Sequence, residues 1–214
     1  MRTRIVLVHG AATTSRVWRL VVPLLDGFDV SCPDRESTGD LNAEVAALAP
    51  VCKGAVVAGV SGGATLGLAL AASGASLAAA ILHEPAVGSL LPGLLDGVAA
   101  AYRDGGIPGF ATALYGPAWT RDEAPADPGA VARDLAMFRA FEPAPPAPCE
   151  GPVLLTVGEL SPEVRHESVR RLAAAFALPV AVLPATAHAA HLENPAALAA
   201  QIRALAGETR SSAR

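Results

Sequence analysis

The chain of 214 residues is 52% hydrophobic and carries a net charge of −4, which predicts one globular domain with a single substantial core. No basic run occurs in it, so the sequence offers no electrostatic surface for nucleic acid or an anionic membrane, and we expect neither as a partner. Cys32, Cys52 and Cys149 have neither a disulfide nor a zinc spacing, so we expect a reducing, cytoplasmic location.

Two apolar stretches resemble a signal peptide and a membrane span. The apolar stretch 5–8 ends at His9, well short of the roughly 7–15 residues of a secretory signal. The uncharged run 61–82 is of membrane-span length, but it consists mostly of Ala, Gly and Ser and is broken at Ser73-Gly74. We interpret it as a buried helix followed by a buried strand.

Short apolar segments alternate with helical patterns along most of the chain. Strands are predicted at residues 5–8, 28–32, 55–60, 79–83, 153–157 and 180–183. Helices are predicted at residues 15–25, 40–49, 62–72, 162–176 and 195–206. This order predicts an α/β fold, with a mostly parallel central sheet of about six strands flanked by helices.

Capping signals mark several of the predicted helix ends. Ser161 before Pro162 and Asn194 before Pro195 each read as an N-cap followed by the first helical residue. Gly207 is expected to end the last helix. We therefore predict a single domain over residues 1–207, with a flexible tail at residues 208–214.

The alternation of strands and helices stops in the middle of the chain. We interpret residues 87–151, hereafter the cap segment, as a small helical insertion over the carboxyl-terminal edge of the sheet. Because cap helices need an apolar core of their own, we expect most of its aromatic rings to pack internally and only one or two to face a ligand. These aromatic residues are Tyr102, Phe110, Tyr115, Trp119, Phe138 and Phe141.

The sequence VAGVSGGAT places Ser61 between a predicted strand and a predicted helix. A Gly-x-Ser-x-Gly pattern is weak evidence alone, but the strand–Ser–helix context is that of a nucleophile on a sharp turn. Upstream, Ala11 follows the first strand, and its backbone N–H joins that of Gly62 as a predicted oxyanion donor. Downstream, His188 lies in the loop after the last strand, from which it can reach Ser61.

At this point the chain resembles the α/β-hydrolase fold superfamily. The resemblance rests on VLVHG followed by Trp18, then CPDR, GVSGG, GELSP and AHAAHLENP, spread over residues 4–207. It implies a minimal single-domain member in which Ser61 is the nucleophile and His188 the base. It also implies that Ala11 and Gly62 supply the oxyanion donors.

The third member of the triad departs from the family pattern. Where many members carry Asp, this chain has Ser161, and a neutral hydroxyl cannot stabilise an imidazolium as a carboxylate does. We interpret Ser161 as a helix cap. Glu84 is the first alternative, because the haloalkane-dehalogenase-like branch includes members with a catalytic glutamate near that location. Glu159, with Glu163 less suited, or no acid at all remain open, as does Glu84 as a buried structural partner of a hydroxyl or an arginine.

Other polar residues point less strongly to chemistry. His188-x-x-His191 lacks a third ligand at suitable spacing, so we predict no metal, and His191 with Glu193 is interpreted as surface polarity. His83 can point to either side of the sheet. Arg35, beside Asp34, reads as part of a pair that fixes a loop.

We therefore predict a cofactor-free serine hydrolase, esterase-like, that acts on a small or medium uncharged carboxylic ester or thioester through a Ser-His-acid triad. Its partner would be a small hydrophobic substrate. The same fold used as a cofactor-free lyase or a perhydrolase is the first alternative. The second is a catalytically silent protein that binds a small ligand.

Overall fold

Six parallel strands form one sheet in the order β2-β1-β3-β4-β5-β6 in the computed structural model, which describes residues 2–148 and 151–212. This confirms the predicted fold class. The strands are β1 (Arg4–Val8), β2 (Asp29–Ser31), β3 (Val56–Val60), β4 (Ala79–His83), β5 (Val153–Gly158) and β6 (Val180–Leu183). Cys32 and Cys52 are free thiols, and Cys149 lies outside the described residues.

Alternate side chains of the central strands enter two separate apolar cores. Val6 and Val8 pack on one face of the sheet, with residues of the helices that follow β2, β3 and β5 and with the cap segment. Ile5 and Leu7 pack on the other face, with Trp18 and the last helix. Because successive strand residues point to opposite faces, a sheet covered on both sides reads as the continuous apolar segments seen in the sequence.

Seven α-helices cover the sheet in the part of the chain that the structure describes. They are α1 (Leu41–Cys52), α2 (Gly62–Ser73), α3 (Asp96–Tyr115), α4 (Ala130–Arg139), α5 (Glu163–Phe176), α6 (Ala190–Glu193) and α7 (Pro195–Ser212). The predicted helix at 15–25 is instead two short 3₁₀ helices, Ser15–Leu20 and Val22–Leu25. Pro23 lacks the N–H that an α-helix needs there. None of the described helices is both long and apolar enough to cross a membrane.

Two predicted helix ends are wrong. Ser161 does not cap α5, since the N-cap position belongs to Pro162 and has no side-chain hydrogen bond. The last helix continues through Gly207 to Ser212, because a single glycine costs a helix only about 1 kcal/mol. Residues 208–212 of the predicted tail are therefore helical. Asn194 does cap α7, accepting the N–H of Ala197 at 3.1 Å.

The cap segment, as far as it is described, contains α3 and α4. Gly106 breaks α3 with a φ of 59°. Tyr115 and Trp119, at and beyond the end of α3, donate hydrogen bonds to the carbonyls of Ala11 and Ala12, at 2.8 and 2.9 Å. These bonds hold the segment against the loop that follows β1.

The sheet order sets where a ligand can bind. From β1 the chain goes to β2 on one side, whereas β3 lies on the other side of β1. Crevices in open parallel sheets form at such a switch point, beyond the carboxyl ends of the strands. The loops after β1 and β3, which carry Ala11 and Ser61, meet at this point.

Candidate active site

Ser61 occupies a sharp turn between β3 and α2. Its φ of 58° and ψ of −121° are strained for a residue with a side chain. The turn depends on glycines, because a Cβ at Gly63 would lie 1.9 Å from the carbonyl oxygen of Val8, and one at Gly59 would lie 2.4 Å from the Gly63 backbone. Strand β3 and helix α2 therefore approach this closely because Gly59 and Gly63 have no Cβ. This is the geometry expected of the Gly-x-Ser-x-Gly pattern.

The predicted oxyanion donors lie next to each other. A Cβ at Gly62 would come within 3.2 Å of the Ala11 nitrogen, so the two backbone segments meet beside Ser61. As the first residue of α2, Gly62 has an N–H with no partner inside the helix. The dipole of α2 adds positive potential at the same point.

Several donors hold the peptide group that carries the Ala11 N–H. The carbonyl of this group, Gly10 O, accepts hydrogen bonds from Thr13 Oγ1 at 2.9 Å, from His9 Nδ1 at 3.0 Å and from Arg35 Nη2 at 3.3 Å. His9 Nε2 accepts the Arg35 backbone N–H at 3.1 Å, so Nδ1 carries the ring proton. These bonds fix the direction of the Ala11 N–H and polarise it.

His188 and Glu84 meet at the carboxyl-terminal edge of the sheet. Glu84 directly follows β4, and His188 lies in the loop after β6. His188 Nδ1 lies 2.7 Å from Glu84 Oε2, and the carboxylate is fully buried. Because a carboxylate only accepts, Nδ1–H donates and Nε2 carries the lone pair. Nε2 is buried and has no hydrogen-bond partner. Its lone pair is therefore free to accept a proton.

Glu84 is held by more than His188. Its other oxygen, Oε1, accepts the backbone N–H of Gly158 at 3.0 Å and the hydroxyl of Ser161. The sequence interpretation of Ser161 as a helix cap is wrong because its hydroxyl donates instead to a buried carboxylate, and such a charge-assisted bond is the stronger one. Glu84 also has a φ of 49°, the second strained residue at this sheet edge.

Both members of this pair have lowered pKa values. Burial raises the pKa of Glu84, but the hydrogen bond from His188 and the positive charge of Arg165 outweigh it, so the net pKa lies well below the usual range. Burial and the charge of Arg165 lower the pKa of His188 to about 4, although the bond to Glu84 opposes them. At neutral pH the glutamate is ionised and the imidazole is neutral.

Tyr115 of the cap segment contacts both Ser61 and His188. Its ring stacks on the His188 imidazole with 5.9 Å between ring centroids. Its buried hydroxyl donates to Ala11 O at 2.8 Å and lies near Ser61, since a Cβ at Gly10 would be within 2.7 Å of Tyr115 Oη and 3.3 Å of Ser61 Cβ. His188 Nε2 has no hydrogen-bond partner, so no hydrogen bond joins it to Ser61 in this structure.

The other acids considered from sequence lie away from His188. Glu159 is exposed and accepts the backbone N–H of Ala185 at 2.8 Å. Glu163 is exposed and pairs with Arg170 at 2.6 Å. The structure thus brings Glu84 to His188 and leaves these two on the surface.

Two further histidines are structural. Buried His83 bonds Thr156 Oγ1 at 3.0 Å and the Ala187 carbonyl at 3.1 Å, which anchors the residue just before His188. The interpretation of His191 as surface polarity is wrong. His191 is 2% exposed and lies 5.2 Å from the Trp18 ring, because the short helix α6 packs against the 3₁₀ segment that carries Trp18.

A sequence profile described as the alpha/beta hydrolase family matches residues 5–201. The chain belongs to the α/β hydrolase family. This match confirms the resemblance drawn from the motifs. Among curated proteins, no sequence matches the chain.

Solved structures share this fold over nearly the whole chain. An enol-lactonase from Burkholderia xenovorans LB400 is 21% identical, with a TM-score of 0.76 over 96% of this chain and 91% of its own. A thermophilic esterase from Thermogutta terrifontis is 22% identical, with a TM-score of 0.71 over 97% and 90%. A lipase-esterase related protein from Clostridium acetobutylicum is 13% identical, with a TM-score of 0.77 over 95% and 94%. At these identities the likeness establishes the fold alone.

The site described above adjoins a cavity of about 20 Å³. Its polar lining comes from Ser61, Thr65, Glu84 and Arg165, and the rest is apolar. The full lining is Ala11, Ser61, Gly62, Thr65, Glu84, Ala86, Leu95, Val98, Phe110, Leu114, Leu135, Phe138 and Arg165. Two cap aromatics, Phe110 and Phe138, are among these residues. A cleft of about 330 Å³ next to it shares Ala86, Leu95 and Phe138.

Sequence reasoning missed Tyr115 as a contact of Ser61 and Arg165 as a wall of the cavity. No local signal identifies Tyr115, whose position depends on how the cap segment packs. Arg165 did carry a signal, because it is a cation in the first turn of α5, where the helix dipole disfavours positive charge.

Proposed function

We propose that the protein is a cofactor-free serine hydrolase of small or medium carboxylic esters or thioesters, with Ser61, His188 and Glu84 as its triad. The observation that carries this proposal is the buried, unpartnered Nε2 of His188, whose opposite nitrogen is held by Glu84 at 2.7 Å. The esterase from Thermogutta terrifontis and the enol-lactonase from Burkholderia xenovorans, which share this fold, are hydrolases of the same reaction class by name.

In the acylation half, the Ser61 hydroxyl turns toward His188. His188 Nε2 takes its proton as Oγ attacks the acyl carbon. The N–H groups of Ala11 and Gly62 stabilise the oxyanion that forms. Glu84 stabilises the imidazolium, and His188 then gives the proton to the departing alcohol or thiol.

In the deacylation half, water takes the place of the leaving group. His188 removes a proton from the water, which attacks the acyl-enzyme and forms the second oxyanion at the same donors. Ser61 leaves with the proton returned by His188, and the carboxylic acid is released. No cofactor takes part in either half.

Labelling with a fluorophosphonate probe, combined with turnover of a short p-nitrophenyl ester, tests this function. We expect the probe to modify Ser61, and Ser61→Ala and His188→Ala each to lower turnover by about 10⁵-fold or more without unfolding, since triad members act as a unit. Ser73→Ala is the matched control, because that serine caps only its own helix turn. Near-full activity in a folded Ser61→Ala or His188→Ala variant would refute the proposal.

A silent ligand-binding protein is the second candidate, and one observation favours it. No hydrogen bond joins Ser61 to His188 Nε2 in this structure. Catalytic hydrogen bonds are often long or misaligned before substrate binds, so we place this candidate second. A silent binder would resist the probe, whereas a lyase or perhydrolase of the same fold would be labelled and would leave simple esters intact.

A further inference from the structure

The cavity beside Ser61 contains a buried cation that neither the triad nor the oxyanion donors use. The Arg165 side chain is 9% exposed and lines the same cavity as Ser61 and Gly62. A guanidinium stays charged throughout the pH range in which proteins fold. The reaction proposed above is complete without it.

Arg165 is poorly satisfied by the protein. Among residues 2–148 and 151–212, the one carboxylate in ion-pair range is Glu84, whose Oε2 lies 3.9 Å from Arg165 Nε, beyond hydrogen-bond distance. Both Glu84 oxygens are already used by His188, Gly158 and Ser161. None of the hydrogen bonds in the described part of the chain comes from the Arg165 guanidinium, so its five N–H donors have no protein acceptor.

The position of Arg165 in its helix adds to this mismatch. Arg165 is the third residue of α5, where the exposed N–H groups and the dipole create positive potential. A buried cation needs an anion or several acceptors to offset its lost hydration. The hydrogen bonds of Arg165 must therefore be completed by water or by a molecule that enters the cavity, and an anionic molecule would also neutralise its charge.

We infer that Arg165 binds a carboxylate on the substrate, so that the natural substrate is an ester or lactone carrying one free carboxylate. The inference rests on the proposed function and names its substrate class. It replaces the uncharged substrate expected from the sequence. The planar guanidinium matches a carboxylate in two parallel hydrogen bonds, while the apolar walls contact the carbon chain between carboxylate and ester.

The cavity size limits that chain to a short one. The cavity that Ser61 and Arg165 share has a volume of about 20 Å³, far below the roughly 300–1,000 Å³ of most ligand pockets, and it adjoins a cleft of about 330 Å³. The ester carbonyl must reach Ser61 while the carboxylate meets Arg165 in the same cavity. Half-esters of dicarboxylic acids with four to six carbons are therefore suitable probes.

The test compares each half-ester with a neutral counterpart of similar shape. Monoethyl glutarate and ethyl 5-oxohexanoate differ in that a methyl ketone replaces the carboxylate, and ethanol release reports both reactions. We expect the wild type to prefer the half-ester at least 10-fold in kcat/KM. Arg165→Met should lower that ratio about 10- to 100-fold, the scale of a hydrogen bond to a charged group. Arg165→Lys should retain part of the preference.

Arg170→Met is the matched control, because Arg170 lies on the same helix but is exposed and paired with Glu163. Its ratio should equal that of the wild type. Circular dichroism melts establish that each variant is folded, and Arg165→Lys keeps the test available if Arg165→Met does not fold.

Two results would overturn the inference while the proposed function stands. They are a wild type that turns over the neutral ester as well as the half-ester, and an unchanged ratio in Arg165→Met. An unchanged ratio that comes with an equal loss on both esters would make Arg165 a positioning residue that acts through Glu84.

Binding of monoethyl glutarate to Ser61→Ala, measured by calorimetry, tests the inference without turnover. We expect binding that is at least 10-fold tighter than that of ethyl 5-oxohexanoate and that is lost in Ser61→Ala/Arg165→Met. Equal binding of the two esters would overturn it. If the wild type resisted the fluorophosphonate probe but this selective binding remained, the proposed function would fail and the carboxylate site would stand.

Discussion

Two buried arginines lie on opposite sides of Ser61, and their surroundings differ. Arg35 is completely buried and donates five hydrogen bonds, to Glu44, to both oxygens of Asp134 and to the carbonyls of His9 and Gly10. The Arg165 guanidinium has one carboxylate at 3.9 Å and makes no hydrogen bond among the described residues. We call these surroundings the Arg35 cluster and the Arg165 cluster.

The charge of Arg35 is used within the protein, whereas the charge of Arg165 is available to a ligand. In the Arg35 cluster every donor has an acceptor, and one carboxylate, Asp134, comes from α4 of the cap segment. This cluster therefore joins the cap segment to the loop that holds the Ala11 N–H. The Arg165 cluster contains Glu84, His188 and Ser161. In it, neither His188 Nε2 nor the Arg165 guanidinium has a hydrogen-bond partner among the described residues, so both are available to the proposed substrate.

Replacing the acid of the Arg165 cluster should give the largest effect. Glu84→Gln keeps the shape and removes the charge that stabilises the imidazolium, so kcat at neutral pH should fall on the order of 10³- to 10⁴-fold. Glu159→Gln is the control and should cost little, because Glu159 bonds only the surface backbone of Ala185. Steady-state kinetics on a simple ester measure kcat for both variants. A large loss in Glu159→Gln together with full activity in Glu84→Gln would make Glu159 the acid of the triad.

Removing each arginine compares the two clusters through stability. Arg35→Met leaves Glu44 and Asp134 buried without their cation, so the free energy of unfolding should fall by about 3–5 kcal/mol. Arg165→Met should cost far less, since the cation it removes is poorly satisfied and its neighbour Glu84 keeps three other donors. Urea unfolding measures both. Equal losses would show that Arg165 is as structural as Arg35.

Much of this site is predictable from local sequence, and the rest depends on tertiary packing. Ser61 and His188 sit where apolar strands end, and periodicity locates those ends. Ser161 was misread because its local pattern is that of a helix cap, whereas a buried carboxylate 77 positions away offers it a stronger bond. The surroundings of Arg165 depend on the direction of its side chain from α5. The spacing of residues in the sequence does not predict that direction.

Phe138 links the two clusters, so its truncation should alter substrate choice. The Arg35 guanidinium lies 5.9 Å from its ring centroid, and the same ring lines the cavity and covers Gly62. Phe138→Ala should change the relative kcat/KM along a series of acyl chains by about 1–3 kcal/mol. Trp119→Phe is the comparison, because Trp119 bonds Ala12 O and is absent from that lining. An unchanged profile in Phe138→Ala would place the acyl group elsewhere.

The smallest expected effect is on the acid limb of the pH profile of kcat/KM. The midpoint of this limb depends on the charge of Arg165. His188 must be neutral to accept the Ser61 proton, so kcat/KM for a neutral ester should fall as the pH drops through its pKa of about 4. Burial and the positive charge of Arg165 both hold that pKa down. Removing the charge in Arg165→Met makes the imidazolium easier to form, which raises the pKa and moves the limb to higher pH, toward roughly pH 5. Arg170→Met, which removes an exposed charge, should leave the midpoint in place. An identical acid limb in the wild type and Arg165→Met would mean that solvent screens the guanidinium from His188. The Arg165 charge would then have no electrostatic effect on the catalytic histidine, although it lacks the hydrogen bonds that Arg35 has.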